Sequence, residues 1–74
     1  MKKYTQEELN AIIENHQHWL RKDCDGWENM RADLSYADLS DANLSYAILK
    51  YANLRYADLS DAILKYAILK YAKN

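Results

Sequence analysis

The sequence predicts an all-β solenoid with an N-terminal α-helical cap, about two coils tall. Three observations predict it: a five-residue repeat filling the second half of the chain, a twenty-residue self-match laid over that repeat, and a helix-start motif within the non-repetitive first 31 residues. The chain of 74 residues therefore divides into a cap with its connecting turn, residues 1–31, and a coiled segment, residues 32–74, which together form one integrated domain.

The first 31 residues carry helix signals. Thr5 and Glu8 form a T-x-x-E capping box, and Leu9, Ile12, Ile13, His16, Trp19 and Leu20 recur at helical spacing along one face. An amphipathic helix of about 16 residues follows from that pattern. Asp23-Cys24-Asp25-Gly26 is an acidic turn leading into the coils. A coil stack exposes unpaired backbone groups and open core at its ends, so caps are required. The helix is the expected N-terminal cap, with Trp19 in its core and Trp27 either plugging the coil or exposed.

From residue 32 the chain reads ADLSY ADLSD ANLSY AILKY ANLRY ADLSD AILKY AILKY. Ala opens and Leu centres all eight units, and the fifth residue is Tyr six times and Asp twice. On an α-helix, steps of five advance the leucines by about 140° and leave no apolar face. On a straight strand an odd period throws alternate leucines to opposite sides. All eight leucines point inward only when the chain turns by a constant angle per unit, and a quarter turn closes a square after twenty residues. Residues 32–51 and 52–71 agree at 16 of 20 aligned positions, as one coil lying on another.

These tandem A-(D/N)-L-x-x units, residues 32–72, resemble the pentapeptide-repeat family. The resemblance implies a right-handed quadrilateral β-helix of about two coils, with the Leu and the small residue before it inside and the other three positions outside. Ala beside Leu suits a narrow tube, and Asp, Asn and Ser suit repeated turns because their side chains bond nearby backbone. Ile48, Ile63 and Ile68 replace the polar residue expected outside, and Tyr replaces smaller residues at the fifth position. The segment from Leu9 to Leu20, followed by Gly26, also resembles the leader of some bacterial and phage members.

After Leu69 only five residues remain, too few for a helix or an added coil. Most of the lower coil is expected to be exposed, and the resemblance implies end-to-end homodimerisation through it. Composition narrows the function classes. Ten basic and eleven acidic residues predict neither a nucleic-acid nor a membrane partner, and no apolar run approaches the roughly 20 residues of a membrane span. One cysteine excludes an internal disulfide, which points to the cytoplasm.

Folding the repeats onto four faces sorts the outward residues, and face one carries Asp33 over Asn53, Ser35 over Arg55 and Tyr36 over Tyr56. Face two carries Asp38 over Asp58, Ser40 over Ser60 and Asp41 over Asp61, four carboxylates with no base between them. Stacked carboxylates about 5 Å apart repel by somewhat under 1 kcal/mol in water. Two readings stand: a phosphate-like surface, as the resemblance to pentapeptide-repeat inhibitors of DNA gyrase implies, or plain turn chemistry on a solvated wall. Faces three and four collect Tyr46, Ile48, Tyr51, Ile63, Tyr66, Ile68 and Tyr71, which with Leu69 form a second candidate surface for partner binding or self-association. Their alternative is simple cross-strand packing of stacked tyrosines.

No catalytic, cofactor-binding or metal site is expected. His16 and His18 stand two apart on a helix and point away from one another, Cys24 lacks an oxyanion hole or cleft, and no Gly-rich phosphate loop exists. The expected function is a non-catalytic protein-binding module, an inhibitor of a DNA-handling enzyme (gyrase-like, or a phage-defence nuclease) by partial DNA mimicry through Asp38, Asp41, Asp58 and Asp61. The alternative is an assembly module that self-associates through its open coil and Ile/Tyr faces.

Overall fold

Eight equivalent corners organise the repeat. The computed structural model describes residues 1–73; Asn74, the last residue of the expected repeat segment, lies outside the described residues. At every corner the N–H of the next unit's Ala donates to the carbonyl of the preceding Leu, from Ala37 to Leu34 (3.2 Å) through Ala72 to Leu69 (3.0 Å). The fifth residue of each unit occupies the third position of this turn and has φ between 58° and 66°. A positive φ there alone is the type II pattern, which favours Gly or Asn. Tyr fills it six times here, at about 1 kcal/mol of backbone strain each.

The Asx position before each Leu ties the corner from outside. Asp33, Asp38, Asn43 and Asp58 each accept, through Oδ1, both the N–H and the hydroxyl of the Ser two residues on. Asn53 accepts the N–H of Arg55 in the same way. These are the local side-chain bonds that suit Asp, Asn and Ser to turns.

Between corners, successive coils pair in parallel at a spacing of twenty residues. Bridges join Asp33 to Asn53, Asp38 to Asp58, Asn43 to Ile63 and Ile48 to Ile68. The upper N–H groups of Leu34, Leu39, Leu44 and Leu49 donate to Asn53, Asp58, Ile63 and Ile68 at 2.8 Å. A fifth bridge, Asn53 to Lys73, starts a third layer on face one, where too little chain for an added coil was expected. The corners interrupt the ladder so often that, among the described residues, regular strand is confined to β1 (Lys2–Lys3) and β2 (Ala37–Asp38).

Inside, Leu34, Leu39, Leu44 and Leu49 are fully buried, with Ala32, Ala37, Ala47 and Ala52 between them. The helix α1 (Gln6–Arg21) lies over this core and adds Leu9 to it, and a short 3-10 turn (Trp27–Asn29) leads into the coils. Its start is the expected capping box: Thr5 Oγ1 accepts the N–H of Glu8, and the Glu8 carboxylate accepts the N–H of Thr5. The hydrogen bond from the Thr5 backbone N–H, and after it the Thr5 side chain, hold the Glu8 carboxyl below its ordinary range.

The cap meets the upper coil's edge on every side. On face two, β1 pairs in parallel with β2, an element the sequence reading missed. On face three, the Gln6 carboxamide accepts the N–H of Asn43 (3.0 Å) and donates to its carbonyl (2.8 Å), standing in for a peptide of a coil that is not there. On face four, Gln17 donates to the carbonyl of Ile48, and His16 to that of Lys50. At the entry to face one, His16 Nδ1 accepts the N–H of Ala32, and Arg31 donates to the carbonyl of Tyr51. His16 is therefore a fully buried junction between helix and coil, and its two partners fix the neutral tautomer with the proton on Nε2. Burial pushes its pKa down, partly opposed by the Lys50 carbonyl.

Candidate functional site

The structure brings each predicted set of surface residues together. On face two, Asp38 lies over Asp58 in a parallel bridge, and Asp41 and Asp61 stand at exposed corners. Hydrogen bonds from Ser40 and Ser60 hold the Asp38 and Asp58 carboxyls below the usual range, and the neighbouring Asp38 charge partly opposes this at Asp58. Both are ionised at neutral pH and both serve their own turns. Lys3 of β1 reaches to 3.9 Å from Asp38, so the missed strand sets a cation on the upper edge of the acidic face.

Faces three and four carry the aromatic and apolar surface. Tyr46 stacks on Tyr66 with centroids 5.1 Å apart, and Tyr51 on Tyr71 at 5.1 Å; Tyr36 and Tyr56 do the same on face one. Lys50, Lys65 and Lys70 sit over these rings at 5.1–5.9 Å. Ile48 (41% exposed), Ile63 (51%) and Ile68 (46%) lie beside them in water. Each such stack is worth about 0.5–1.5 kcal/mol, comparable with the left-handed backbone strain its two tyrosines carry.

Among the described residues the lower coil is less enclosed than the upper one. Leu59, Leu64 and Leu69 are only half-buried, whereas their counterparts one coil above are fully enclosed. Among the described residues, the N–H groups of Leu59, Leu64 and Leu69 have no backbone acceptor, while those of Leu39, Leu44 and Leu49 all do. Among the described residues the lower edge is paired on face one alone, by Lys73.

The turn after α1 differs from its sequence reading. His16 and His18 do point apart, but Lys22 adopts the left-handed conformation as helix C-cap and folds the chain back. That reversal sets Asp23 Oδ1 2.6 Å from His18 Nδ1 and brings Cys24 to the same place. Spacing along the helix alone carries no sign of this cluster.

Residues 30–65 and 45–73 match the family of pentapeptide repeats, with eight copies. The chain belongs to the pentapeptide-repeat family. Among curated proteins no relative matches it. Pentapeptide-repeat proteins are generally non-catalytic structural or binding modules, and membership is consistent with a protein-interaction role. No helix among the described residues is long and apolar enough to cross a membrane.

Proposed function

We propose that this pentapeptide-repeat chain is a non-catalytic, cytoplasmic interaction module that assembles with a second copy of itself through the open edge of its lower coil. The observation that carries the reading is the contrast between the two ends. One edge is answered group by group by β1, Gln6, His16 and Gln17, while the other presents Leu59, Leu64 and Leu69 half-exposed, their N–H groups without a backbone acceptor among the described residues. A second copy offers the same ring of leucines and alanines at the same spacing, and edge pairing would satisfy the backbone as coil stacking does within the chain. The Tyr46/Tyr66 and Tyr51/Tyr71 stacks and Ile63 and Ile68 rim that edge. In this reading the fold is a right-handed quadrilateral β-helix, residues 32–74, capped by residues 1–31 in one integrated domain. The twenty-residue register and the eight equal corners support that geometry.

Sedimentation at micromolar concentration tests the assembly. The native chain is expected to run as a dimer and Leu69→Glu as a folded monomer. A native monomer at those concentrations overturns the reading.

The second reading is a protein partner of the DNA-handling class, inhibited by partial DNA mimicry at the acidic face. Its support is the stack of Asp38, Asp41, Asp58 and Asp61, held ionised at Asp38 and Asp58. Exchange of all four for Asn preserves the corners, because Asn43 and Asn53 already make the turn bonds of positions 38 and 58 here, and Asn suits the left-handed backbone of positions 41 and 61. Affinity capture from nuclease-treated bacterial lysate with the native and fourfold variants then isolates charge from fold. A DNA-binding enzyme retained by the native form alone supports mimicry; equal retention by both removes it.

A further inference from the structure

We propose that the turn after α1 binds one divalent cation of the zinc class, held by the imidazole of His18, the carboxylate of Asp23 and the thiolate of Cys24. The ligand atoms of these three residues all lie within 4.8 Å of one another. Around a tetrahedral ion with bonds of about 2.0 Å to nitrogen and oxygen and about 2.3 Å to sulfur, ligand atoms stand about 3.3–3.7 Å apart. Closing the cluster onto an ion thus needs shifts of about 1 Å in side chains at a half-exposed surface. His18 and Asp23 open from their 2.6 Å contact, and Cys24 moves in.

The chemistry of the set is that of zinc: one nitrogen, one oxygen and one sulfur donor, with water free to take a fourth place. Charge balances as well, since a carboxylate and a thiolate neutralise a divalent ion. Arg21 contacts Asp23 through Oδ2 at 3.3 Å, which leaves Oδ1 for the ion. Binding releases one proton, from the Cys24 thiol to solvent, and the neutral imidazole of His18 moves its proton through solvent from Nδ1, where it meets Asp23, to Nε2 so that Nδ1 can take the metal.

Two further observations favour a built site. The Met30 thioether sulfur lies 3.8 Å from Cys24 Sγ, about the separation of two sulfurs bound to one ion, and places a soft donor beside the thiolate. The backbone of the turn is also fixed independently of the ligands. Lys22 N–H donates to the His18 carbonyl at 2.7 Å, and Trp27 N–H to the Cys24 carbonyl at 3.2 Å, so both ends of the His18-x4-Asp23-Cys24 segment are anchored.

Titration of the full chain with Co²⁺, followed by displacement with Zn²⁺, tests the site. A stoichiometric thiolate-to-cobalt charge-transfer band is expected, absent in Cys24→Ser, with at least tenfold weaker binding in His18→Ala and in Asp23→Asn. No band in the native protein overturns the proposal, as does a band whose midpoint is unchanged in both His18→Ala and Asp23→Asn, which describes a lone thiol. Should Cys24→Ser fail to fold, the alkylation rate of Cys24 in the native protein replaces it. Saturating Zn²⁺ is expected to slow that reaction at least tenfold, and an unchanged rate overturns the site.

Discussion

The Nε2 of His16 lies 2.7 Å from the carbonyl oxygen of Lys50, while its Nδ1 accepts the backbone N–H of Ala32 at 2.9 Å. One neutral ring thus joins the cap helix to both the first and the last segments of the upper coil. Protonation would set a second N–H against the N–H of Ala32. The unfolded chain takes up this proton near pH 6.5 and the folded one only at lower pH, so the unfolded state holds more protons between the two values. Stability is therefore full above about pH 6.5, declines as the pH falls towards the folded value, and levels off below it. Denaturant titrations at several pH values check this, and His16→Ala is expected to flatten the decline and cost about 3 kcal/mol through the stranded Lys50 carbonyl and Ala32 N–H.

A second acid step is expected from the corners. Hydrogen bonds from Ser35, Ser40 and Ser60 lower the pKa of Asp33, Asp38 and Asp58. Their stabilisation is present above the ordinary carboxylate value of about 3.8 and is lost as the pH falls through the lowered folded values. In the fourfold variant Asp38, Asp41, Asp58 and Asp61 to Asn, the part of this step due to Asp38 and Asp58 disappears. Circular dichroism during acid titration separates it from the His16 step.

Gln6 stands in for a missing coil at Asn43. Gln6→Ala is expected to cost about 1–2 kcal/mol, because an N–H and a carbonyl lose their partner together. Hydrogen exchange provides the local check: the Asn43 amide is expected to exchange faster, with the Asp58 amide, bonded to Ala37, unaffected.

The paired tyrosines combine strain with stacking. Tyr46→Asn relieves one left-handed backbone but forfeits the whole stack on Tyr66, and Tyr66→Asn does the same. The double variant loses the stack only once and relieves both positions. Its destabilisation is expected to fall short of the sum of the singles by about 0.5–1.5 kcal/mol, read from a double-mutant cycle of melting curves.

Core depth gives an independent reading of assembly. Leu49→Ala is expected to cost about 3 kcal/mol at its fully buried position. Leu64→Ala, half-buried, costs much less in a monomer, and its cost approaches that of Leu49→Ala at concentrations where a second copy covers the lower coil. Chemical denaturation across a range of protein concentrations measures both.

The repeat was legible because its logic is local and redundant. Eight copies of Ala-x-Leu fixed the corner, and the self-match at twenty residues fixed which side chains lie over which, so Asp38 over Asp58 and Ile48 over Ile68 followed without any structure. The helix start was legible for the same reason, since Thr5 and Glu8 bond each other within one turn. What stayed hidden depends on single long-range contacts. Lys2–Lys3 is too short to carry a strand pattern and becomes one only against Ala37–Asp38. His16 carries the right spacing for a buried position, but nothing in it announces two backbone partners. The meeting of His18, Asp23 and Cys24 depends on a left-handed Lys22, a conformation that lysine does not advertise.

The twenty-residue register makes height a separable property of the molecule. The cap contacts the coil through residues of the first circuit, and the open edge belongs to the second, so neither end knows how many storeys lie between them. A copied block of twenty residues placed between Tyr51 and Ala52 would lengthen the column by about 4.8 Å and leave both terminal surfaces as they are. Insertions that are not whole multiples of twenty would rotate the faces out of alignment. Gene duplication in this chain therefore works in discrete floors, and the distance between its two ends can change without redesign of either.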